Sequence, residues 1–394
     1  MTYTNAEKMI LTASSATSGD CLSQILNELG NPEKSLKIIK IFGECGKSSV
    51  CALLSATLSA SAYKVGHVVT PFIHSVRNCI RIYERPISIE LFSGAAEKVY
   101  KAVAALKKSK TDGEEFVPSS FDLLFATAIY AFYDSGCDGA VIEIPYLYSA
   151  HTFLGKATVS VISSIYNKNV ALGICQHIDR ESGEVISAIQ EKDIHKIIFD
   201  RCAERHNRFS MPLKSSFCFS SVSLKRMEFT YKTKPFTIGC GAYYQIQNML
   251  TVTEAIEALK RLGFKISGTD ICAAILSEGL PLRFETVSAM PNIIIDRADN
   301  SIRRCVLADS LSRLKEHIVL PPLIICEKQS EEIKETFEEA LNEVNILELE
   351  TKSARKSLRA LLSSLTSDDT VIIIGASDYC EQMSKIIKEI MCRS

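Results

Sequence analysis

Short apolar runs rich in β-branched residues alternate along the chain with stretches whose small and apolar residues recur at helical spacing. The runs are LKIIKIFG (36–43), KVGHVVT (64–70), DGAVIEI (138–144) and NVALGIC (169–175); KSSVCALLSATLSASA and SFDLLFATAIYAFYDSG lie between them. Strands that are apolar throughout, alternating with helices, predict a parallel sheet covered on both faces. Residues 203–238 are less regular and read as short antiparallel strands. TVTEAIEALKRLGF (251–264) then restores an amphipathic helix, and PNIIIDRADN (291–300) reads as a strand running into a polar loop. After that the alternation restarts with LPPLIIC, the helical SEEIKETFEEALNEV, NILELE, a basic helical stretch, DDTVIIIGAS and a last helix. The pattern predicts an α/β protein: a mainly parallel sheet flanked by helices over residues 1–300, and a smaller α/β domain over 301–394. The charges of the helix within 330–344 are expected to form a solvated face.

The length of 394 residues suits two domains, and 46% apolar with 23% charged residues is a globular composition. Forty-five basic against 46 acidic side chains leave no broad basic face, so nucleic acid is not an expected partner. The fourteen cysteines include no CxxC pair, and several lie inside apolar runs, where Cys acts as a small buried hydrophobe. Reduced thiols and a cytoplasmic protein are expected. The chain does not open on a basic segment followed by an apolar leader, and no apolar run reaches the roughly 18–20 residues of a membrane span.

Candidate chemistry is concentrated in IFGECGKSSVCALL (41–54). Gly43 and Gly46 flank a turn between a strand and a helix, followed by Lys47, Ser48 and Ser49. Glycines let backbone N–H groups converge on an anion, and the helix N-terminus adds partial positive charge. The lysine can reach outer phosphates, and a serine hydroxyl such as that of Ser48 can ligate Mg²⁺. The alternative is an ordinary glycine turn with a solvated lysine.

Four stretches, in order, resemble the folylpolyglutamate synthase/dihydrofolate synthase family of the wider Mur ligase superfamily. LGNPEKSLKIIKIFGECGKSS (29–49) resembles that family's LGNPE and K-V-I-H-V-A-G-T-N-G-K-G-S. YKVGHVVTPFIHSVRNCIRIYERPIS (63–88) resembles Y-K-V-G-x-Y-T-S-P-H-L and the R-I-x-I-x-G-x-x-I after it. YYQIQN (243–248) resembles H-Q-x-x-N, and LRFETVSAMPNIIIDRADN (282–300) resembles G-R-x-E followed by P-x-x-x-D-G-A-H-N. The resemblance implies an ATP-dependent ligase that joins glutamate to a folate-like carboxylate through an acyl phosphate. It also implies Mg²⁺ as the cation, and a monomer.

Matched position by position, the resemblance gives Lys47 the role of the phosphate-loop lysine and Ser48 and Ser49 the positions beside it. Thr70 falls on a metal-side hydroxyl, and Glu143, closing the strand GAVIE, on the metal-ligating glutamate. An unaided reading also puts a ligand at that strand end. The metal histidine falls on His177, 15 residues before Lys192, the counterpart of a lysine that is often carbamylated. A rival match of VSVISSI (159–165) puts Asn169 there instead, and Lys192 also reads as an ordinary helix lysine. Arg283 matches an arginine near the phosphates, with pairing to Glu285 as its alternative. Asp296 and Asn300 match the hinge motif, and Gln245 and Asn248 the nucleotide-side pair.

Departures from the family pattern lie at the chemistry. Glu44 and Cys45 replace T-N in the loop, Phe72 replaces a histidine, and Asp299 replaces the histidine of D-G-A-H-N. PYLYSAHTFL (145–154), with Tyr146 and Tyr148, replaces a glycine-rich run. A carboxylate beside a triphosphate is repulsive. Two readings follow: an amide ligase, or a non-catalytic relative that binds a nucleotide or a partner. The direction in which Glu44 faces separates them.

Overall fold

The computed structural model describes the chain apart from residues 15–20, 71–74, 110–114, 146–153, 177, 179–182, 269–281, 320 and 393–394. Two compact units emerge: Met1–Pro212 with Asn248–Ala274, and Leu213–Gln247 with Ile275–Ser394.

In the first unit, α1 (Tyr3–Leu11) and α2 (Cys21–Glu28) precede β1 (Lys37–Phe42), which turns into α3 (Lys47–Ala60). Next come β2 (Val65–Val68), a hairpin of β3 (Ile80–Ile82) and β4 (Arg85–Pro86), the helices α4 (Ile89–Ser109) and α5 (Ser120–Asp134), and β5 (Gly139–Glu143). Then follow β6 (Ala157–Ile162), α6 (Lys168–Gln176), β7 (Glu184–Ser187), α7 (Lys192–Glu204) and β8 (Arg208–Ser210); α8 (Tyr244–Arg261) belongs to this unit from Asn248 onward.

The sheet order is β4-β3-β2-β5-β1-β6-β7-β8, parallel from β2 through β8 with an antiparallel edge of β3 and β4. β2 and β5 are buried at every position and β1 at all but Lys37, as central parallel strands require. Lys40, fully buried in mid-strand, interrupts the apolar run. Helix α5 starts on a capping box: Ser119 Oγ accepts from the Asp122 amide, and the Asp122 carboxylate accepts from the Ser119 amide.

One expected strand is a helix. NVALGIC lies within α6, where Val170, Ala171, Ile174 and Cys175 are buried while Leu172 is exposed. Those positions share one side of a 3.6-residue repeat, so a short apolar run served a helix face. The neighbouring VSVISSI supplies the strand, with Val159–Ile162 in β6 and the rest in the turn beyond it.

The second unit carries an antiparallel sheet of β9 (Phe217–Val222), β10 (Met227–Tyr231) and β11 (Lys234–Ile238), as expected for the later part of 203–238; the earlier part ends α7 and forms β8, which pairs parallel to β7. Its larger sheet uses β12 (Glu285–Ala289), β13 (Asn292–Asp296), β14 (Leu323–Cys326), β15 (Asn345–Glu348) and β16 (Thr370–Ile374), ordered β12-β13-β16-β14-β15. Side chains alternate between its faces. Ile294, Ile324 and Ile372 meet α9 (Ser301–Ser312) and α10 (Glu331–Leu341). Ile293, Ile295, Ile325 and Ile373 meet α11 (Thr351–Ser364) and α12 (Ser377–Met391).

The compact units do not part at residue 300. β13 pairs in register with β16, Asn292 opposite Thr370 and Asp296 opposite Ile374, so 285–296 belongs to the second unit together with 213–247. Strand membership is set by a partner far along the chain, which periodicity does not reveal.

Candidate functional site

At the carboxyl end of β1 the backbone passes through Gly43 at φ 128° and Gly46 at φ 88°, both in the region that favours glycine. A Cβ on Gly43 would lie 2.2 Å from Ser163 Oγ, and one on Gly46 would lie 2.2 Å from Asn248 Oδ1. Polar neighbours thus occupy the space that glycine leaves. Gly46 caps α3, whose first helical bond runs from the Val50 amide to the Gly46 carbonyl; the amides before it have no intrahelical acceptor. Lys47 opens the helix, and its ammonium donates to the Gly43 carbonyl at 2.7 Å, folded across the turn.

Glu44 does not point its charge at an anion in this loop. Its carboxylate accepts from the backbone amides of Tyr166 at 2.6 Å and Asn167 at 3.0 Å, where the chain enters α6. The Glu44 and Cys45 amides donate to the Ser164 carbonyl at 3.0 and 3.1 Å. Those two amides are therefore committed to the neighbouring turn. Gln190 braces the same turn, accepting from the Ile165 amide and donating to the Ser163 carbonyl, each at 3.0 Å.

Two further strand ends arrive beside the loop. Parallel pairing sets Glu143 opposite Ile41 of β1, and Val68 of β2 opposite Ile142 of β5. The Glu143 carboxylate is buried and accepts from the Thr70 amide at 3.3 Å. Thr70 and Glu143 are thus brought together at the carboxyl edge of the sheet where the loop begins. Beneath them, burial and then the charge of Glu143 push the Cys51 thiol well above its usual range, so it stays a thiol and donates to the Val68 and Val141 carbonyls. Ser48 is half-buried and Ser49 buried in the first turn of α3.

The remaining first-unit candidates are more scattered. Lys192 is exposed at the start of α7, and Asn169 is exposed in the first turn of α6, its amide donating to the Asn167 side chain at 2.8 Å. His177, Phe72, Tyr146 and Tyr148 lie outside the described residues. Asn248, on α8, is the residue pressed against Gly46.

In the second unit Asp296 ends β13, buried, and accepts from the Phe284 amide at 2.8 Å and from the Tyr244 hydroxyl. Burial raises its carboxyl above the ordinary range, with Tyr244 and then Arg283 pulling it back. Burial and Asp296 together push the Tyr244 phenol well up, so it remains a donor. Arg283 donates to the Leu282 carbonyl at 3.0 Å; Glu285 instead takes the Leu282 amide and Lys388, so the alternative pairing is not the one formed. The Asn300 side chain accepts from the Arg303 amide at 2.9 Å and is the N-cap of α9, a structural duty. Gln245 is buried in the first turn of α8.

Gln190 and Tyr244 were not legible as site residues. Each acts on a partner far along the chain, and neither lies in a motif as an expected ligand. For Tyr244 the one available signal is its position just before Gln245 in YYQIQN.

No family model matches the chain. Dihydrofolate synthetase of Saccharomyces cerevisiae is 35% identical over 123 residues, covering 31% of this chain and 27% of the yeast protein. The chain thus aligns with about a quarter of that relative's length. Dihydrofolate synthase/folylpolyglutamate synthase of Mycobacterium tuberculosis is 24% identical over 330 residues, 74% of this chain and 65% of the relative. Among solved structures, folylpolyglutamate synthetase from Lactobacillus casei superposes with a TM-score of 0.82 at 20% identity, over 99% of this chain and 100% of that one. Folylpolyglutamate synthase of Mycobacterium tuberculosis, complexed with ADP and AMPPCP, superposes with a TM-score of 0.78 at 17% identity, over 100% and 99% of the two chains. The chain is similar in sequence to dihydrofolate and folylpolyglutamate synthases over part of their length, and its fold is that of the folylpolyglutamate synthetase structures.

Proposed function

We propose that the chain is an ATP-dependent carboxylate–amine ligase that adds glutamate to a folate-like carboxylate. The observation that carries this reading is the meeting of three strand ends, which sets the Gly43–Lys47 turn beside the Thr70–Glu143 pair. In the reaction a substrate carboxylate oxygen attacks the γ-phosphorus and ADP leaves; the amine of glutamate then attacks the acyl carbon and phosphate leaves. Such phosphoryl transfer asks for positioning and for cations around the transferring group. Lys47 supplies one by exchanging the Gly43 carbonyl for a phosphate oxygen, and the N-terminus of α3 adds its partial positive charge toward the same anion.

The donor set fits Mg²⁺. One carboxylate, Glu143, and the hydroxyls of Thr70 and Ser48 are hard oxygen ligands, and Mg²⁺ is commonly held by one or two carboxylates together with substrate phosphates. Bound there, the ion would neutralise phosphate charge and polarise the phosphoryl oxygens. Among the described residues no three His, Cys, Asp or Glu side chains converge, so a metal cage made of protein alone is not part of the reading. Of the two residues matched to the metal histidine, His177 lies outside the described residues and Asn169 lies just beyond the turn that Glu44 holds; Lys192, matched to the family's lysine, opens the next helix, α7.

The direction in which Glu44 faces separates a ligase from a merely binding relative. With that carboxylate engaged by the Tyr166 and Asn167 amides, the loop carries no acid directed at a phosphate. We further place the protein in the cytoplasm as a monomer, with ATP, glutamate and a folate-like acid as partners. Free thiols throughout the described residues suit a reducing compartment, and no described helix is long and apolar enough to cross a membrane.

ADP release measured with Mg²⁺, a dihydropteroate or reduced folate, and with or without glutamate tests the reading. Glutamate-dependent release that Lys47→Ala abolishes supports it. Full turnover by Lys47→Ala, or a flat calorimetric titration of ATP into the wild type, removes it.

A further inference from the structure

The family pattern D-G-A-H-N is Asp296-Arg297-Ala298-Asp299-Asn300 in this chain, so an arginine stands where glycine does and an acid where histidine does. The two departures are physically linked. Arg297 Nε donates to Asp299 Oδ2 at 3.0 Å, and Arg303 donates to the other Asp299 oxygen. Burial alone would raise the Asp299 carboxyl, but Arg303 and Arg297 outweigh it and hold it below its usual range. Asp299 is therefore a charged anchor and not an open acid.

Arg297 is the unusual member of this group. Its side chain is only 9% exposed, yet its terminal nitrogens take no hydrogen bond among the described residues, and they are not sealed orphans either. Burial lowers its affinity for its proton, and the nearby charges of Arg283 and Arg303 add to that. Of the nearby acids, Asp296 is already engaged by Phe284 and Tyr244, and Asp299 is shared between two guanidiniums. Glu381, on which the charge of Arg297 also acts, is pushed up to about 7 by burial and Asp378 and so holds much of its proton at neutral pH. Three guanidiniums crowd a place with too little negative charge. A planar fork in such surroundings matches the two oxygens of a carboxylate or phosphate.

We propose that Arg297 is an oxyanion-binding residue: anchored through Nε by Asp299 and flanked by Arg283 and Arg303, it offers its two terminal nitrogens to a carboxylate or phosphate group beyond the end of β13. The site uses residues of the second unit alone and does not depend on the ligase reading. Calorimetry on the full chain, with no nucleotide present, titrates inorganic phosphate and L-glutamate separately; the probe that binds identifies the source of the oxyanion. Arg297→Gly is expected to weaken that binding by at least roughly tenfold, the loss of a charged bidentate contact. If Arg297→Gly fails to fold by circular dichroism, Arg297→Gln, which keeps the stem and a donor but no charge, is read by the same criterion. Wild type that binds neither probe at millimolar concentration overturns the proposal, as does undiminished binding by the folded variant. A chain that turned over no ATP but bound a probe through Arg297 would leave this inference standing and remove only the ligase.

Discussion

The Glu44 carboxylate accepts the Tyr166 amide at 2.6 Å and so ties the Gly43–Lys47 turn to the entry of α6. A charged acceptor shared by two amides at a helix entry acts as a cap would. Glu44→Ala is expected to lower stability by about 1–2 kcal/mol, in the range of a lost helix cap, and Glu44→Gln by less, since its carbonyl can still accept. Urea unfolding of the three proteins checks this. An alanine variant as stable as wild type would mean the two amides find other acceptors, and the carboxylate would then not be what holds the turn.

Gly46 carries both a left-handed φ and a neighbour in the space of a Cβ, so its replacement acts twice. Gly46→Ala is expected to strain the backbone by about 1–3 kcal/mol and to push Asn248 aside, lowering ATP affinity along with the melting temperature. Gly94 provides the contrast: it is exposed inside α4, and a Cβ there meets nothing within 4 Å. Gly94→Ala should stabilise by about 0.5–1 kcal/mol through helix propensity. Opposite signs in differential scanning calorimetry bear the argument out, and equal effects refute it.

Sequence reached the loop because its chemistry is local: Gly43, Gly46 and Lys47 are consecutive enough for a turn, a helix start and a cation to be read together. Glu143 was legible for a similar reason, as the polar end of a strand otherwise wholly apolar. What Glu44 does was not legible. Its partners lie more than a hundred residues away and become neighbours only because β6 pairs with β1. That the compact units divide elsewhere than at residue 300 was hidden for the same reason, since β13 joins β16 by pairing alone. NVALGIC failed differently: seven residues are too few for period to separate a strand from a buried helix face.

Ser55, His67 of β2 and Glu84 form a largely buried trio. Ser55 Oγ donates to Glu84 Oε1 at 2.7 Å, and His67 Nδ1 lies 2.9 Å from Ser55 Oγ and 3.3 Å from Glu84 Oε2. Tyr83 and Glu84 both have positive φ, 49° and 61°, in a hairpin turn that usually takes Asn-Gly, so these contacts offset local strain. Burial would raise Glu84, but His67, followed by Ser55 and Arg81, outweighs it and holds the carboxyl below its ordinary 4.5. The native state thus favours the ionised form. Its contribution is complete above pH 4.5 and fades as pH falls through the native value. Glu84→Gln should cost about 1–3 kcal/mol at neutral pH and lose stability less steeply than wild type on acidification. Parallel acid limbs in urea titrations would mean that Glu84 is not the group responsible.

Glu381 has the opposite sign. Burial, helped by Asp378, raises its carboxyl to about 7 from an ordinary 4.5, with Arg297 opposing. Between those values the native protein keeps a proton that the unfolded chain releases, so this group makes stability fall as pH rises through that window. The residue is only half-buried, so screening by solvent reduces the effect. Glu381→Gln removes the titration, and the difference in melting temperature between pH 5 and pH 8 should shrink relative to wild type, the variant being relatively more stable at pH 8. If both proteins lose the same amount over that interval, the carboxyl does not carry its proton into the neutral range, and the negative charge available to Arg297 is greater than the arrangement of Asp378 and Glu381 implies.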